Sequence, residues 1–283
     1  MNDLRIRRYS PDVERHADNG PPGSGPATGI FDRLNNYLLL LYAGACLLMY
    51  YSLAGFLFLG GLTLLSLSLP GLMGIIFPLY ILSSRFSLRF AGEYRLFAPG
   101  PALTLIALLV TAGLVLPVEA LSTFMEKRWP PDADYISFLL AIKPKGALSF
   151  AAVAFGIAIA TPVAEELLFR GFIQRIFVRN MPAGLAIALS SVIFAASHLD
   201  VPALPAAVLL GGAFGLLFHM TGNLIYPILG HALFNLVSLI RLDAISEADL
   251  QAPTFRYPPP VYVAASIALL VFALALLRRR AAR

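Results

Sequence analysis

Charge is scarce in this chain. Only 13% of its 283 residues are Asp, Glu, Lys or Arg, against about a quarter in a soluble domain. With 58% apolar residues, that shortage excludes an ordinary water-soluble fold. Cysteine is almost missing. Cys46 is the single one, which excludes a disulfide framework and a cysteine-based metal site and leaves that residue to packing. Several catalytic signatures are absent too. There is no His-Glu-x-x-His zinc-peptidase helix and no Gly-x-Ser-x-Gly nucleophile elbow. There is no Gly-x-Gly-Asp aspartyl pair, no phosphate-binding loop and no repeat of fixed period.

Apolar runs near 20 residues recur along the chain, as lipid-spanning helices require. The expected fold is therefore an all-α polytopic membrane bundle of about eight transmembrane helices. Residues 1–32 mix charges with Pro21, Pro22, Gly23, Gly25 and Pro26 and lack periodicity. They read as a disordered cytoplasmic tail, and its length and mixed charge argue against a secretory signal. N-terminal transmembrane helices fill 33–122. The run at 37–82 holds two of them, with a turn near Gly60-Gly61 or Pro70-Gly71. A third covers about 101–121, and 122–146 is polar. Further spans begin near 148, 183, 203 and 224, and 258–283 makes a last helix and a basic tail ending in Arg278-Arg279-Arg280. Counting arginines under the positive-inside rule puts both termini in the cytoplasm, with a bacterial plasma membrane as the expected location. The net charge of +5 comes from residues flanking the spans, so topology explains it and no nucleic-acid partner is expected.

The informative residues are the polar ones inside the spans. The fourth span reads AAVAFGIAIATPVAEELLFRGFI and carries Glu165, Glu166 and Arg170. Three uncompensated charges at the bilayer centre would cost on the order of 8–10 kcal/mol, so they must pair, face a wet cavity or do chemistry. Glu166 and Arg170 are four apart and share a helix face. Glu165 is rotated about 100° from Glu166, which leaves it free to face a cavity as general base or acid. Two later spans each carry a histidine: Phe194 and His198 are four apart, and so are His231 and Asn235. Polar residues in spans face the bundle interior, so these groups can converge. His and Glu can position and deprotonate a water. Two His and a Glu can also hold a metal with an open position for water. His231 and Asn235 supply side-chain donors on one face, as an oxyanion hole needs. Phe194 reads as a packing wall. His219 and Asp200 read as interface or capping residues, His16 belongs to the tail, and Ser190, Ser191 and Ser197 read as hydroxyls bonded to their own helices.

Glu165-Glu166-x-x-x-Arg170, Phe194-x-x-x-His198 and His231-x-x-x-Asn235, in this order, resemble the three motifs of the CPBP family. That family comprises type II CAAX prenyl endopeptidases and bacteriocin-processing or immunity proteins, and is also called Abi. The Thr221-Gly222-Asn223 lead-in is similar as well. The resemblance implies a catalytic core over 145–240, an intramembrane endopeptidase fold and a site opening to the cytosol. It implies that Glu165 and His198 activate water, that His231 and Asn235 stabilise the oxyanion, and that Glu166 and Arg170 hold the geometry. Two cofactor schemes stay open: a divalent metal such as zinc held by Glu165, His198 and His231, or a metal-independent glutamate protease. The expected partners are the bilayer and a peptide or protein substrate, lipidated or not. Rival readings are a non-catalytic immunity or scaffolding protein and a proton-coupled transporter. The second is disfavoured by the lack of broken-helix inverted repeats.

Overall fold

A computed structural model describes residues 29–252 and 254–281. The rest, including His16 and nearly all of the expected disordered tail, lies outside the described residues. Among the described residues every regular element is a helix. In chain order the main ones are α1 (Asn36–Leu59), α2 (Thr63–Arg85), α3 (Pro101–Arg128), α4 (Ala133–Ile142), α5 (Ala147–Val178), α6 (Ala183–Ser197), α7 (Leu204–Thr221), α8 (Ile225–Ala244) and α9 (Pro260–Arg280). Seven of them are long and apolar enough to cross a membrane, all but α4 and α6. The protein is an all-α, multi-pass membrane bundle.

The helix ends follow local chemistry. The Asn35 side chain caps α1 by accepting from the Leu38 N–H at 2.8 Å, and Asp132 caps α4 through the Tyr135 N–H at 2.8 Å. The long apolar run breaks at Gly60-Gly61, where Gly61 takes φ +77°, a left-handed conformation that glycine adopts without strain. Pro70, the alternative break, instead leads into a π-helical turn, Gly71–Ile76, within α2. Two differences from the sequence reading concern short helices. Part of the polar stretch 122–146 folds as α4. The expected fifth span, α6, has 15 residues and rises only about 22 Å, short of a hydrocarbon core of about 30 Å. It is accommodated by packing along α7.

Just ahead of α1, Ile30–Arg33 forms one helical turn, and Ile30 and Phe31 are buried in the bundle. Two apolar clusters make the core. One joins α1, α2 and α5 through Leu39, Cys46, Leu79, Leu168 and Phe172, and includes Phe194. The other joins α3, α7 and α9 through Val110, Leu114, Leu217 and Leu277, and includes Phe214. Elsewhere α1 and α9 turn large side chains such as Phe56, Leu59 and Phe272 outward, as a lipid solvent allows.

Two prolines inside the spans are repaired from neighbouring helices, as a water-free environment demands. Pro117 in α3 has no N–H for the Gly113 carbonyl, and Ser266 Oγ of α9 donates to that oxygen at 3.2 Å. A second repair of this kind lies in the site.

Candidate active site

The centre of α5 is not uniform helix. π-helical turns at Phe155–Ala160 and Phe169–Gln174 flank the α-helical stretch Thr161–Leu168, which carries both glutamates. Such turns often mark functional positions.

Glu166 and Arg170 form the pair that their spacing allows. Arg170 Nη1 donates to Glu166 Oε1 at 2.8 Å, with side chains 1% and 0% exposed. Arg170 Nη2 donates to the Gly211 carbonyl of α7 at 3.3 Å. Its guanidinium lies 4.4 Å from the Phe194 ring and 5.9 Å from Phe214, so aromatic faces meet a charge that water does not reach.

His231 bridges the two carboxylates. Its Nδ1 is 2.9 Å from Glu166 Oε1 and its Nε2 is 3.8 Å from Glu165 Oε2. Glu166 Oε1, which also accepts from Arg170, acts here as a carboxylate acceptor, so His231 Nδ1 carries the proton. The imidazole stacks on Phe214 at 5.3 Å and meets Phe194 edge-on at 5.9 Å. The ring therefore sits where the two apolar clusters join. Glu166 Oε2 is buried and has no hydrogen-bond partner in the protein.

His198 ends α6 and is exposed. Its Nδ1 lies 2.8 Å from the Phe194 carbonyl, which can only accept, so Nδ1 carries the proton and Nε2 keeps its lone pair. Its ring touches Phe194 at 4.7 Å. Phe194 thus contacts His198, His231 and Arg170 together. No hydrogen bond joins His198 directly to Glu165 among the described residues.

Asn235 carries the second proline repair. In the π-helical register the Thr161 N–H bonds the Gly156 carbonyl. The next carbonyl, Ile157, would take the N–H of residue 162, which is proline. Asn235 Nδ2 of α8 donates to the Ile157 oxygen at 2.9 Å instead. The bond orients the amide and leaves its second N–H unspent.

Of the residues singled out from the sequence, Glu165, Glu166, Arg170 and His231 are in direct contact. His198 joins them through Phe194, and Asn235 lies one turn beyond His231. His219 sits apart, beside Gln174, Arg175 and Phe218. Asp200 faces α4: there burial first, then the Asp200 charge, pushes the Tyr135 phenol up to about 12. Ser190, Ser191 and Ser197 donate to backbone carbonyls of Phe169, Ile187 and Phe194. The sequence reading missed Tyr50 and Tyr51 of α1. Both lie within electrostatic reach of Glu165, and Tyr51 donates to the Ser197 carbonyl. Gly74 makes room for them, since a Cβ there would stand 2.7 Å from Tyr50 Cα. Nothing in the pattern of an apolar run separates these tyrosines from lipid-facing ones.

The metal scheme needs three convergent donors. Both histidines offer an Nε2 lone pair with Nδ1 held behind it, the usual second-shell arrangement of a ligating imidazole. Yet among the described residues no three His, Cys, Asp or Glu side chains come together in a geometry able to hold an ion. As they stand, Glu165, His198 and His231 do not fit that role.

A buried carboxylate–imidazole–arginine centre, reached by helices of a multi-pass bundle, defines an intramembrane protein with a polar interior site. Residues 147–237 match the family described as Rce1-like, type II CAAX prenyl endopeptidase. That segment, about a third of the chain, is similar to this protease family, in agreement with the motifs. Among curated proteins and among solved structures nothing matches the chain.

Proposed function

We propose that the protein is an intramembrane endopeptidase that hydrolyses a peptide bond in or next to the bilayer, using Glu165 as the group that activates water. The observation that carries this reading is the division between the two glutamates. Glu166 is held by Arg170 and His231 Nδ1, whereas Glu165 is partly exposed, stands 3.8 Å from His231 Nε2 and forms no ion pair with Arg170 among the described residues.

In the proposed reaction a water lies between the Glu165 carboxylate and His198 Nε2. One of these bases takes its proton as the oxygen attacks the substrate carbonyl. The developing oxyanion is met by the second Asn235 N–H and by His231, whose Nε2 donates when it carries a proton. The C–N bond then breaks as the proton held by Glu165 or His198 passes to the leaving amine. Glu166 and Arg170 keep His231 in place. The scheme contains no step through a metal.

The chemistry of the family supports a peptide or protein substrate, and its description supports a prenylated C-terminus as the first probe. The arginine distribution supports both termini on the cytoplasmic side, the resemblance supports a site that opens to the cytosol, and a bacterial plasma membrane is the location that goes with this reading. The test is cleavage of fluorogenic peptides ending in a prenylated or unprenylated CAAX sequence by purified protein in lipid nanodiscs. Cleavage by the wild type and none by folded Glu165→Gln is expected. Cleavage by Glu165→Gln at the wild-type rate overturns the reading. Loss of activity on chelation, restored by a stoichiometric divalent ion, would replace the metal-free scheme.

A further inference from the structure

The last turn of α6 holds His198 at an exposed position, and its backbone accounting is complete. A helix leaves its last four carbonyls without intrahelical partners, and in a membrane each must be satisfied by protein. Here the Phe194 oxygen accepts from Ser197 Oγ at 2.7 Å and from His198 Nδ1 at 2.8 Å. The Ala195 oxygen accepts from the His198 N–H at 3.1 Å and the Ala196 oxygen from the Leu199 N–H at 3.2 Å. The fourth, Ser197, accepts from the Tyr51 hydroxyl of α1. Three of the four are satisfied within the turn itself, so among the described residues the bond from Tyr51 is the hydrogen bond to these carbonyls that comes from another helix. Leu199 follows with φ +54°, which directs the chain away from the helix directly after the histidine.

We propose that Tyr51 is a positioning residue for His198: its hydroxyl clamps the Ser197 carbonyl and so fixes where the His198 imidazole stands relative to the water-activating carboxylate. Tyr51 lies far outside the segment 147–237 that carries the family motifs, so α1 completes the site from a part of the chain that the motifs do not cover. The neighbouring Tyr50 braces the same corner, with its ring 4.9 Å edge-on to Tyr51. This inference rests on the endopeptidase reading of the site.

The molecule contains its own control. Tyr42, also on α1, donates its hydroxyl to the Pro78 carbonyl of α2 at 2.6 Å. Tyr42→Phe deletes the same kind of bond from the same helix with no connection to His198. Both variants are assayed with the prenylated fluorogenic peptide, on monodisperse protein, with unfolding temperature measured in parallel. Tyr51→Phe is expected to lower kcat about tenfold with KM within twofold. Tyr42→Phe is expected to keep kcat within twofold, whatever its effect on unfolding temperature. A wild-type kcat for Tyr51→Phe, or equal kcat losses in both variants, overturns the inference. If Tyr51→Phe is not recovered folded, 3-fluorotyrosine at position 51 alters the hydrogen bond without removing the ring. A change in kcat there and none at position 42 supports the role, and no change at either overturns it. Failure of the endopeptidase reading looks different, because Glu165→Gln would then cleave like the wild type.

Discussion

Two of the acid–arginine pairs along and just past α5 differ in almost everything except chemistry. Glu166–Arg170, at 2.8 Å, is sealed at 0% and 1% exposure and is shared with His231, Gly211 and two aromatic rings. Asp32–Arg179, at 3.3 Å, lies at the end of the helix with 46% and 36% exposure. In water two such charges lose little by separating. Inside the bundle neither can be left alone, because the desolvation already incurred is recovered only while both remain. The inner pair is therefore a structural commitment of the site, and the outer pair is incidental to it. Glu165 is instructive against this background. It lies beside Glu166 in sequence yet is not tied into the inner pair, and a carboxylate left partly exposed at such a centre is free to exchange a proton with water.

The largest effect is expected from breaking the inner pair on one side. Arg170→Ala strands Glu166 in an apolar core and should cost about 3–5 kcal/mol, seen as a large fall in unfolding temperature or in recovery of folded protein. Removing both charges with Glu166→Gln and Arg170→Met should restore most of that stability but not cleavage, since His231 loses its carboxylate partner. Equal stability of Arg170→Ala and wild type would erase the contrast between the two pairs. Next comes Glu165→Gln, which should show the opposite pattern. Cleavage falls by about 10²–10⁴-fold, the range for a positioned general base, while unfolding stays within about 1 kcal/mol of wild type, since no buried ion pair is broken. A large loss of stability here would mean that Glu165 belongs to the structural pair after all.

The bundle and the inner pair were legible in the sequence because the signals are strong and local. Long apolar runs can be little but spans, and a four-residue separation on a helix has one geometric meaning. The break at Gly60-Gly61 could be named only as one of two options, because Pro70 carries an equal turn signal and its fate is decided by packing. The π-helical turns around Glu165 were not legible. An extra residue in a helical turn leaves no periodic trace, and it is this register that exposes the Ile157 carbonyl to Asn235. The bond from Asn235 to the Ile157 carbonyl is one that spacing alone could not suggest. Tyr50 and Tyr51 were invisible for a related reason: an amphipathic ring in an apolar run looks the same whether it faces lipid or a carboxylate. Whether the metal trio converges was not legible either, since convergence is a three-dimensional property that residue types alone do not fix.

The repair by Asn235 gives an effect of intermediate size. Asn235→Ala leaves the Ile157 carbonyl unsatisfied at Pro162 and should cost about 1–3 kcal/mol. Pro162→Ala supplies an N–H that can reach the same oxygen, so the double variant should recover about 1 kcal/mol relative to the sum of the singles, a coupling readable in a double-mutant cycle. Cleavage should remain low in both, because the amide is gone. Additive stabilities would show that the two residues do not share that carbonyl.

The smallest effect is expected at the outer pair, and it completes the contrast. Arg179→Ala removes one member of a pair that water already solvates on both sides. Its cost should stay within about 1 kcal/mol, and cleavage should match the wild type, because Arg179 follows the last residue of α5, beyond the π-helical turn that ends at Gln174. Salt offers an independent check. At about 1 M the screening length falls to about 3 Å, so wild type and Arg179→Ala should converge in unfolding temperature, whereas Arg170→Ala should keep its deficit because its charges are shielded from ions by protein. A deficit above about 2 kcal/mol for Arg179→Ala that persists in high salt would place the outer pair in the same class as the inner one, and burial would then not be what separates them.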